Sequence, residues 1–143
     1  MADHNPAPFA KASTKADLEQ GTAFAPRFDA DGLIPAIATD SKTGVVLMFA
    51  WMNREALLTS IRTREAHFWS RSRAKLWRKG DESGNFLTIE EMRTDCDQDV
   101  VLLKVRTAGR GVACHTGAQS CFYRTVALGE PTTGPILLAR AKS

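Results

Sequence analysis

Leu33-Ile34-Pro35-Ala36-Ile37-Ala38-Thr39-Asp40-Ser41-Lys42-Thr43-Gly44-Val45-Val46-Leu47-Met48-Phe49-Ala50-Trp51 is two apolar runs joined by a polar segment that ends in glycine. Short runs rich in branched and aromatic side chains read as strands. Residues 40–44 supply hairpin-turn chemistry, so the two strands are expected to pair antiparallel. Pro35 has no N–H to give to a ladder, which predicts an edge position for the first strand. Downstream, Asn53 is a good N-cap, and Glu55 puts negative charge in the first turn, where the helix dipole favours it. Ala56, Leu57 and Ile61 then make the apolar face of a helix of about three turns that ends near Thr63. Residues 67–70, 86–89, 100–107 and 122–128 read as further strands. Upstream, Phe24, Phe28 and a turn over 29–32 lead into the folded part. Residues 1–20 show no sustained apolar period, which predicts a mobile arm carrying a short helix around 15–20.

The expected architecture is β-rich α+β: a single compact domain with mostly antiparallel strands and one principal helix. Its expected division is a mobile N-terminal arm over 1–22, the folded domain over 23–130 and a short C-terminal tail over 131–143. A chain of 143 residues is long enough to bury a real core within one domain. Its formal net charge of +3 is a small excess, so the placement of the basic residues matters more than their sum. No apolar run approaches membrane-spanning length and nothing resembles a signal peptide, so no membrane partner and a cytoplasmic location are expected.

The distinctive chemistry lies downstream. All three cysteines, Cys96, Cys114 and Cys121, fall between Asp95 and Tyr123. Asp95, Asp97 and Asp99 alternate with Cys96 and Gln98. On an extended strand their carboxylates share one face and need a cation between them, while Cys96 points to the other face. An EF-hand is excluded, because Val100 stands where that loop needs glycine and Arg106 where it needs a bidentate glutamate. A polar turn leading into the next strand, with no ion, is the alternative. The cysteines leave a similar choice open. Three thiolates without a fourth leave one coordination position for water, the hallmark of a catalytic zinc. Three small buried hydrophobes are the other common fate of free cysteine. Cys114 and Cys121 are too far apart in sequence for a zinc knuckle, and an odd count argues against a disulfide framework.

Arg71-Ser72-Arg73-Ala74-Lys75-Leu76-Trp77-Arg78-Lys79-Gly80 holds five of the 19 basic residues and follows Trp69 closely. Such a segment is either a solvated loop or a surface for nucleotides. Asp81 and Glu82 return negative charge directly after it. That disfavours a long nucleic acid and suits a small phosphorylated ligand, clamped by arginine forks, serine hydroxyls and glycine amides.

Several motifs in the same order carry a resemblance to a family. Phe49-Ala50-Trp51-Met52-Asn53, Phe68-Trp69-Ser70-Arg71-Ser72-Arg73, Leu76-Trp77-Arg78-Lys79-Gly80, Asp95-Cys96-Asp97-Gln98-Asp99 and Ala113-Cys114-His115-Thr116-Gly117, with Ser120-Cys121-Phe122-Tyr123, resemble phosphoribosyl-AMP cyclohydrolase of histidine biosynthesis. The likeness spans roughly residues 28–125. It implies a substrate that is AMP with a second phosphoribosyl group on N1, and hydrolytic opening of the purine ring between N1 and C6. It implies Zn²⁺ on Cys96, Cys114 and Cys121, Mg²⁺ on Asp95, Asp97 and Asp99, and a zinc-activated water of pKa about 7 that attacks C6. It also implies a homodimer with the zinc site shared between chains. Trp69, Ser70, Arg71, Ser72, Arg73, Trp77 and Lys79 are the expected substrate contacts. His115 is the candidate general acid/base, with a supporting place beside the metal as its alternative. The spacing is compatible with a shared site: residues 100–107 span roughly 26 Å when extended, with Cys96 at one end and Cys114 and Cys121 beyond the other.

Two readings from other classes stand beside this one. The first is a zinc-stabilised RNA-binding module using the basic, aromatic segment. The second is a structural or partner-binding protein whose cysteines and tryptophans are core and whose fold ignores chelators. About 18 residues follow Thr125, too few for a fused second enzyme, so a monofunctional chain is expected.

Overall fold

The structure is a computed structural model that describes residues 8–109, 111–129 and 134–142. Residues 1–7 of the expected arm, and 131–133 and 143 of the expected tail, lie outside the described residues. The elements in chain order are α1 (Lys15–Gln20), β1 (Ile34–Asp40), β2 (Val46–Met52), α2 (Arg54–Thr63), β3 (His67–Ser70), β4 (Lys75–Arg78), β5 (Leu87–Thr94), β6 (Val101–Thr107), β7 (Arg124–Val126) and β8 (Leu138–Arg140).

β1 and β2 form the expected antiparallel hairpin. Asp40 Oδ1 closes its turn by accepting the N–H groups of Lys42 and Thr43, both at 2.9 Å, and Gly44 supplies the left-handed residue at φ 77°. The edge position expected for β1 is not found. The sheet order is β2-β1-β6-β5, so β1 is interior and runs parallel to β6. Pro35 is tolerated there because the ladder with β6 starts one residue after it, at the Ala36–Val101 pair. The other strand pairings are antiparallel.

α2 starts as its cap predicts: Asn53 Oδ1 accepts the Ala56 N–H at 2.8 Å. It ends at Arg64, whose backbone turns left-handed at φ 63°. Its buried face differs from expectation. Ser60 is buried beside Ala56 and Leu57, while Ile61 is 41% exposed. The hydroxyl of Ser60 explains this, because it ties α2 to β3 by accepting the His67 N–H at 2.9 Å and donating to the His67 carbonyl at 3.2 Å.

Val101, Leu103 and Val105 alternate inward along β6 and are fully buried with Ile34, Leu47, Met52, Leu57, Phe68 and Leu87. Each such side chain contributes about 1.5–3 kcal/mol relative to staying exposed. The opposite sheet face carries Pro35, Ile37, Trp51 and Leu102, part-buried, and the exposed Phe49, aligned across β1, β2 and β6.

Three strands depart from the sequence reading. β5 continues past residue 89 through Glu90, Glu91 and Arg93, because an edge strand accepts charges on its open side. Glu90 there accepts from Arg106 at 2.8 Å. β4, within the segment read as a loop, pairs with β3 in register Phe68–Trp77 and Ser70–Lys75. The strand expected over 122–128 shortens to β7, and β8 from the tail is its partner.

At the N-terminal end, α1 is capped by Thr14, whose Oγ1 accepts the Asp17 N–H at 3.0 Å. Phe9 is buried edge-on against Phe24, with ring centroids 5.6 Å apart. Among the described residues no helix is long and apolar enough to cross a membrane.

Candidate active site

Between β5 and β6 the aspartate segment is a turn rather than the start of a strand. Asp95 organises it. Its carbonyl accepts the Gln98 N–H at 3.2 Å, and its Oδ1 accepts those of Asp99 at 3.0 Å and Val100 at 3.3 Å. Gln98 takes φ 59° to complete the reversal. The conformation is therefore the polar-turn alternative, yet the carboxyl groups converge all the same. Asp95, Cys96 and Asp97 have ligand atoms within 4.8 Å of one another, the one group of three or more His, Cys, Asp or Glu residues so placed among the described residues. Cys96 thus lies beside the carboxyls instead of facing away, because residues in a turn do not alternate as they do on a strand.

Asp99 lies outside that group of three, yet near enough that the neighbouring carboxyls of Asp95 and Asp97 push its pKa up to about 6. For Asp95, burial raises the pKa, but hydrogen bonds involving Asp99, Asp97 and the turn backbone outweigh it and hold the group low. Asp97 Oδ1 is buried with no hydrogen-bond partner. Crowded carboxyls, one of them favouring its proton, and a buried acceptor without a donor form a set that fits a hard cation.

The thiols meet in a different place. The loop after β6 turns tightly: Ala113 N–H donates to Gln119 O at 3.0 Å, Cys114 N–H to Ala118 O at 3.1 Å, and Gly117 N–H to Cys114 O at 3.0 Å. Gly117 adopts φ 92°, a conformation that favours glycine. The loop then docks on β2, with Ser120 Oγ donating to Val46 O and Cys121 N–H to Leu47 O, both at 2.7 Å. Cys114 and Cys121 are thereby brought close enough for their thiols to influence each other, although they are too far apart in sequence for a zinc knuckle. Cys121 is exposed as a residue, but partial burial of its thiol, reinforced by Cys114, pushes that thiol up to about 11. For Cys114, burial raises the pKa, but hydrogen bonding by Thr116 (Oγ1 to Sγ 3.1 Å), with help from Cys121 and the Lys79 charge, lowers it overall. A thiol of lowered pKa beside a second one, near the Lys79 charge, suits a soft metal.

The basic hairpin faces this loop. Arg73, Lys75, Trp77 and Lys79 line a cleft of about 520 Å³ together with Cys114 and the exposed His115. A neighbouring open cleft of about 620 Å³ adds Trp51, Trp69, Ser70, Arg71 and Ser72. The Arg71 guanidinium lies 5.0 Å over the Trp51 ring, and Ser70 Oγ accepts from both the backbone N–H and Nε of Arg73 at 3.3 Å. Arg78 is otherwise engaged. It donates to Glu65 at 2.6 Å and to Asp81 at 2.7 Å, and lies 4.5 Å over Phe86, fastening the hairpin to the domain.

One chain therefore gathers Cys114, Cys121, His115 and the basic hairpin, and holds Cys96, Asp95 and Asp97 at separate clefts beside α1. Asp99 alone shares a cleft with Trp51. Sequence reasoning missed Lys75 and Trp51 as cleft residues. For the first, the available signal was its place among the five basic residues of 71–80. For the second it was only membership of the motif Phe49-Ala50-Trp51-Met52-Asn53, since its closeness to Arg71 arises in the fold.

Comparison with known proteins gives a consistent result. The family described as phosphoribosyl-AMP cyclohydrolase matches residues 48–123. A phosphoribosyl-AMP cyclohydrolase of Brucella anthropi is 58% identical over 117 residues, which cover 82% of this chain and 83% of that protein. One from Caulobacter vibrioides is 56% identical over 121 residues, covering 85% and 87%. One from a Chelativorans species is 58% identical over 112 residues, covering 78% and 81%.

Proposed function

The chain belongs to the phosphoribosyl-AMP cyclohydrolase family, and from that premise we propose that the thiol loop and basic hairpin of one copy, with Cys96 of a second copy, form its active site. Membership decides for an enzyme of histidine biosynthesis acting on a phosphorylated nucleotide. The reaction adds one water across the C6–N1 bond: oxygen goes to C6, the bond breaks, and N1 gains a proton.

In this reading Zn²⁺ is held by Cys114, Cys121 and a second copy's Cys96, and Mg²⁺ by Asp95, Asp97 and Asp99. Softness sorts them, thiolates taking zinc and carboxylates magnesium. When bound, zinc supplies the Lewis acidity that brings the pKa of water near 7. His115, on the cleft rim beside Cys114, moves the proton from the attacking water towards N1. Arg71, Arg73 and Lys79 hold the two phosphates, Ser70 and Ser72 add uncharged donors, and Trp69 and Trp77 offer apolar faces to the purine. The part-exposed sheet face of Ile37, Phe49, Trp51 and Leu102 supports pairing into a homodimer, since Cys121 is tied to β2 of that same sheet. Residues 23–130 carry every side chain of this proposed site, and a cytoplasmic location belongs to the same reading.

The observation that carries it is the loop that closes Cys114 onto Cys121 at the cleft of His115 and the basic hairpin, while Cys96 of the same chain lies elsewhere. The test is turnover of phosphoribosyl-AMP with metal analysis of the same sample. About one Zn²⁺ per chain is expected, with both metal and turnover lost in Cys114→Ala. A fully active, metal-free protein overturns the zinc reading.

A further inference from the structure

Gln98 is a buried polar residue that the catalytic reading leaves unused. It sits between two of the carboxylates and is 4% exposed. Its side-chain amide is satisfied at both ends by the N-terminal segment: Oε1 accepts the Ala25 N–H at 2.8 Å and Nε2 donates to the Leu18 carbonyl at 2.9 Å. Its backbone carbonyl accepts the Arg27 N–H at 2.7 Å. Each of these bonds crosses to one short stretch of chain, more than 70 residues away in sequence. That stretch is anchored in turn. Ala10 N–H donates to Phe24 O at 2.8 Å, and Phe9 packs on Phe24 and Phe28 beneath the Arg54 guanidinium, 5.1 Å from the ring. A continuous line of contacts therefore runs from the start of α2 through Phe9 and Ala25 to the aspartate turn.

We propose that Gln98 is a positioning residue: through it, the docked segment 9–27 holds Asp95, Asp97 and Asp99 in their cation-binding arrangement, so that docking and cation binding are coupled. This rests on the reading of the aspartates as the Mg²⁺ site. If only space had to be filled, an apolar side chain would serve. A buried amide with both ends bonded to the backbone of one segment specifies where that segment lies. Clefts of about 520 and 770 Å³ flank the contact, lined by α1 and its neighbours on one side and by Cys96 with Gln98 or Asp97 on the other. The buried amide thus ties the segment to the turn between these clefts, adding to the hydrogen bonds that Asp95 makes within the turn. Gln98 also occupies a left-handed backbone position that side chains other than Asn and Asp rarely take, as expected where the side chain is needed.

Groups that orient metal ligands typically change affinity roughly 10–100-fold when removed. Coupling is reciprocal, so the cation must strengthen docking by the factor that docking strengthens the cation. The experiment uses full-length, zinc-loaded protein and Mn²⁺ as a paramagnetic probe of the Mg²⁺ site, titrated by electron paramagnetic resonance. Gln98→Ala is expected to raise the Mn²⁺ Kd roughly 10–100-fold with zinc content unchanged. Phe9→Ala, which strips the segment of its packing on Phe24 and Phe28, is expected to move it in the same direction. In the unmodified protein, hydrogen exchange at the Ala25 and Arg27 amides should slow when Mg²⁺ is added. Folded variants with unchanged Mn²⁺ affinity overturn the proposal. If the variants do not fold, the exchange measurement decides, and absence of protection overturns it. An unmodified protein that binds no Mn²⁺ refutes the aspartate site itself and this proposal with it. Normal binding with indifferent variants refutes the positioning role alone.

Discussion

Replacing Trp51 by leucine removes the ring over which Arg71 lies and leaves the guanidinium charge in place. The ring is part-buried and held edge-on against Phe49, centroids 5.4 Å apart at 86°, so it is a fixed platform. A cation–π contact at such a site is worth about 0.5–1 kcal/mol, which converts to a factor of about two to five in the population of the presented rotamer. If Arg71 meets a substrate phosphate equally in ground and transition states, the loss falls on KM, about two- to fivefold, with kcat kept. Arg71→Ala removes the charge-assisted bonds themselves, at about 1.5–3 kcal/mol, and should raise KM about ten- to a hundredfold. The assay is steady-state kinetics on phosphoribosyl-AMP at saturating Mg²⁺, because Trp51 and Asp99 line a common cleft. Unchanged KM in Trp51→Leu beside a raised KM in Arg71→Ala would refute the platform. A fall in kcat alone would show that Trp51 acts on the chemical step instead.

The remaining predictions probe assembly, packing and acid sensitivity. Inactive Cys96→Ala and Cys121→Ala proteins, mixed after dissociation, should regain about a quarter of normal activity, because half the dimers are mixed and each holds one intact site; no recovery with subunit exchange confirmed rejects the shared site. Ser60→Ala strips partners from the His67 N–H and carbonyl and should cost about 2–4 kcal/mol in a urea titration, whereas a loss near zero would mean that the hydroxyl does not tie α2 to β3. Hydrogen bonding from Arg78 holds the Asp81 carboxyl below its usual range. Its contribution is complete above about pH 4 and is lost as pH falls through the depressed folded value. Asp81→Asn should therefore flatten the fall in stability at acid pH, and parallel curves would dismiss that contribution.

The parts of this protein that local chemistry dictates were readable from the chain. The Asn53 cap and Glu55 mark the start of α2, and the Asp40–Gly44 turn makes the β1–β2 hairpin. These signals involve residues within one or two turns of each other, and their energies do not wait on the rest of the fold. The ordered motifs likewise named the family, because each is a contiguous set of chemically demanding side chains.

Pairing and proximity across distant segments were another matter. Pro35 suggested an edge, but whether its missing N–H matters depends on where β6 begins to pair, which lies over 60 residues away. Lys75–Arg78 became a strand only because β3 was beside it. A strand rule placed Cys96 opposite Asp95 and Asp97, and a turn set by Asp95 and Gln98 put all three on one spot. Sequence by itself determined the local elements, the donor chemistry and the family, since those depend on residue type and short spacing. Tertiary structure alone decided which donors meet, because Cys114 reaches Cys121 through a loop docked on β2 and the aspartate turn bonds to Leu18, Ala25 and Arg27, contacts whose free energy exists only once remote segments are packed together.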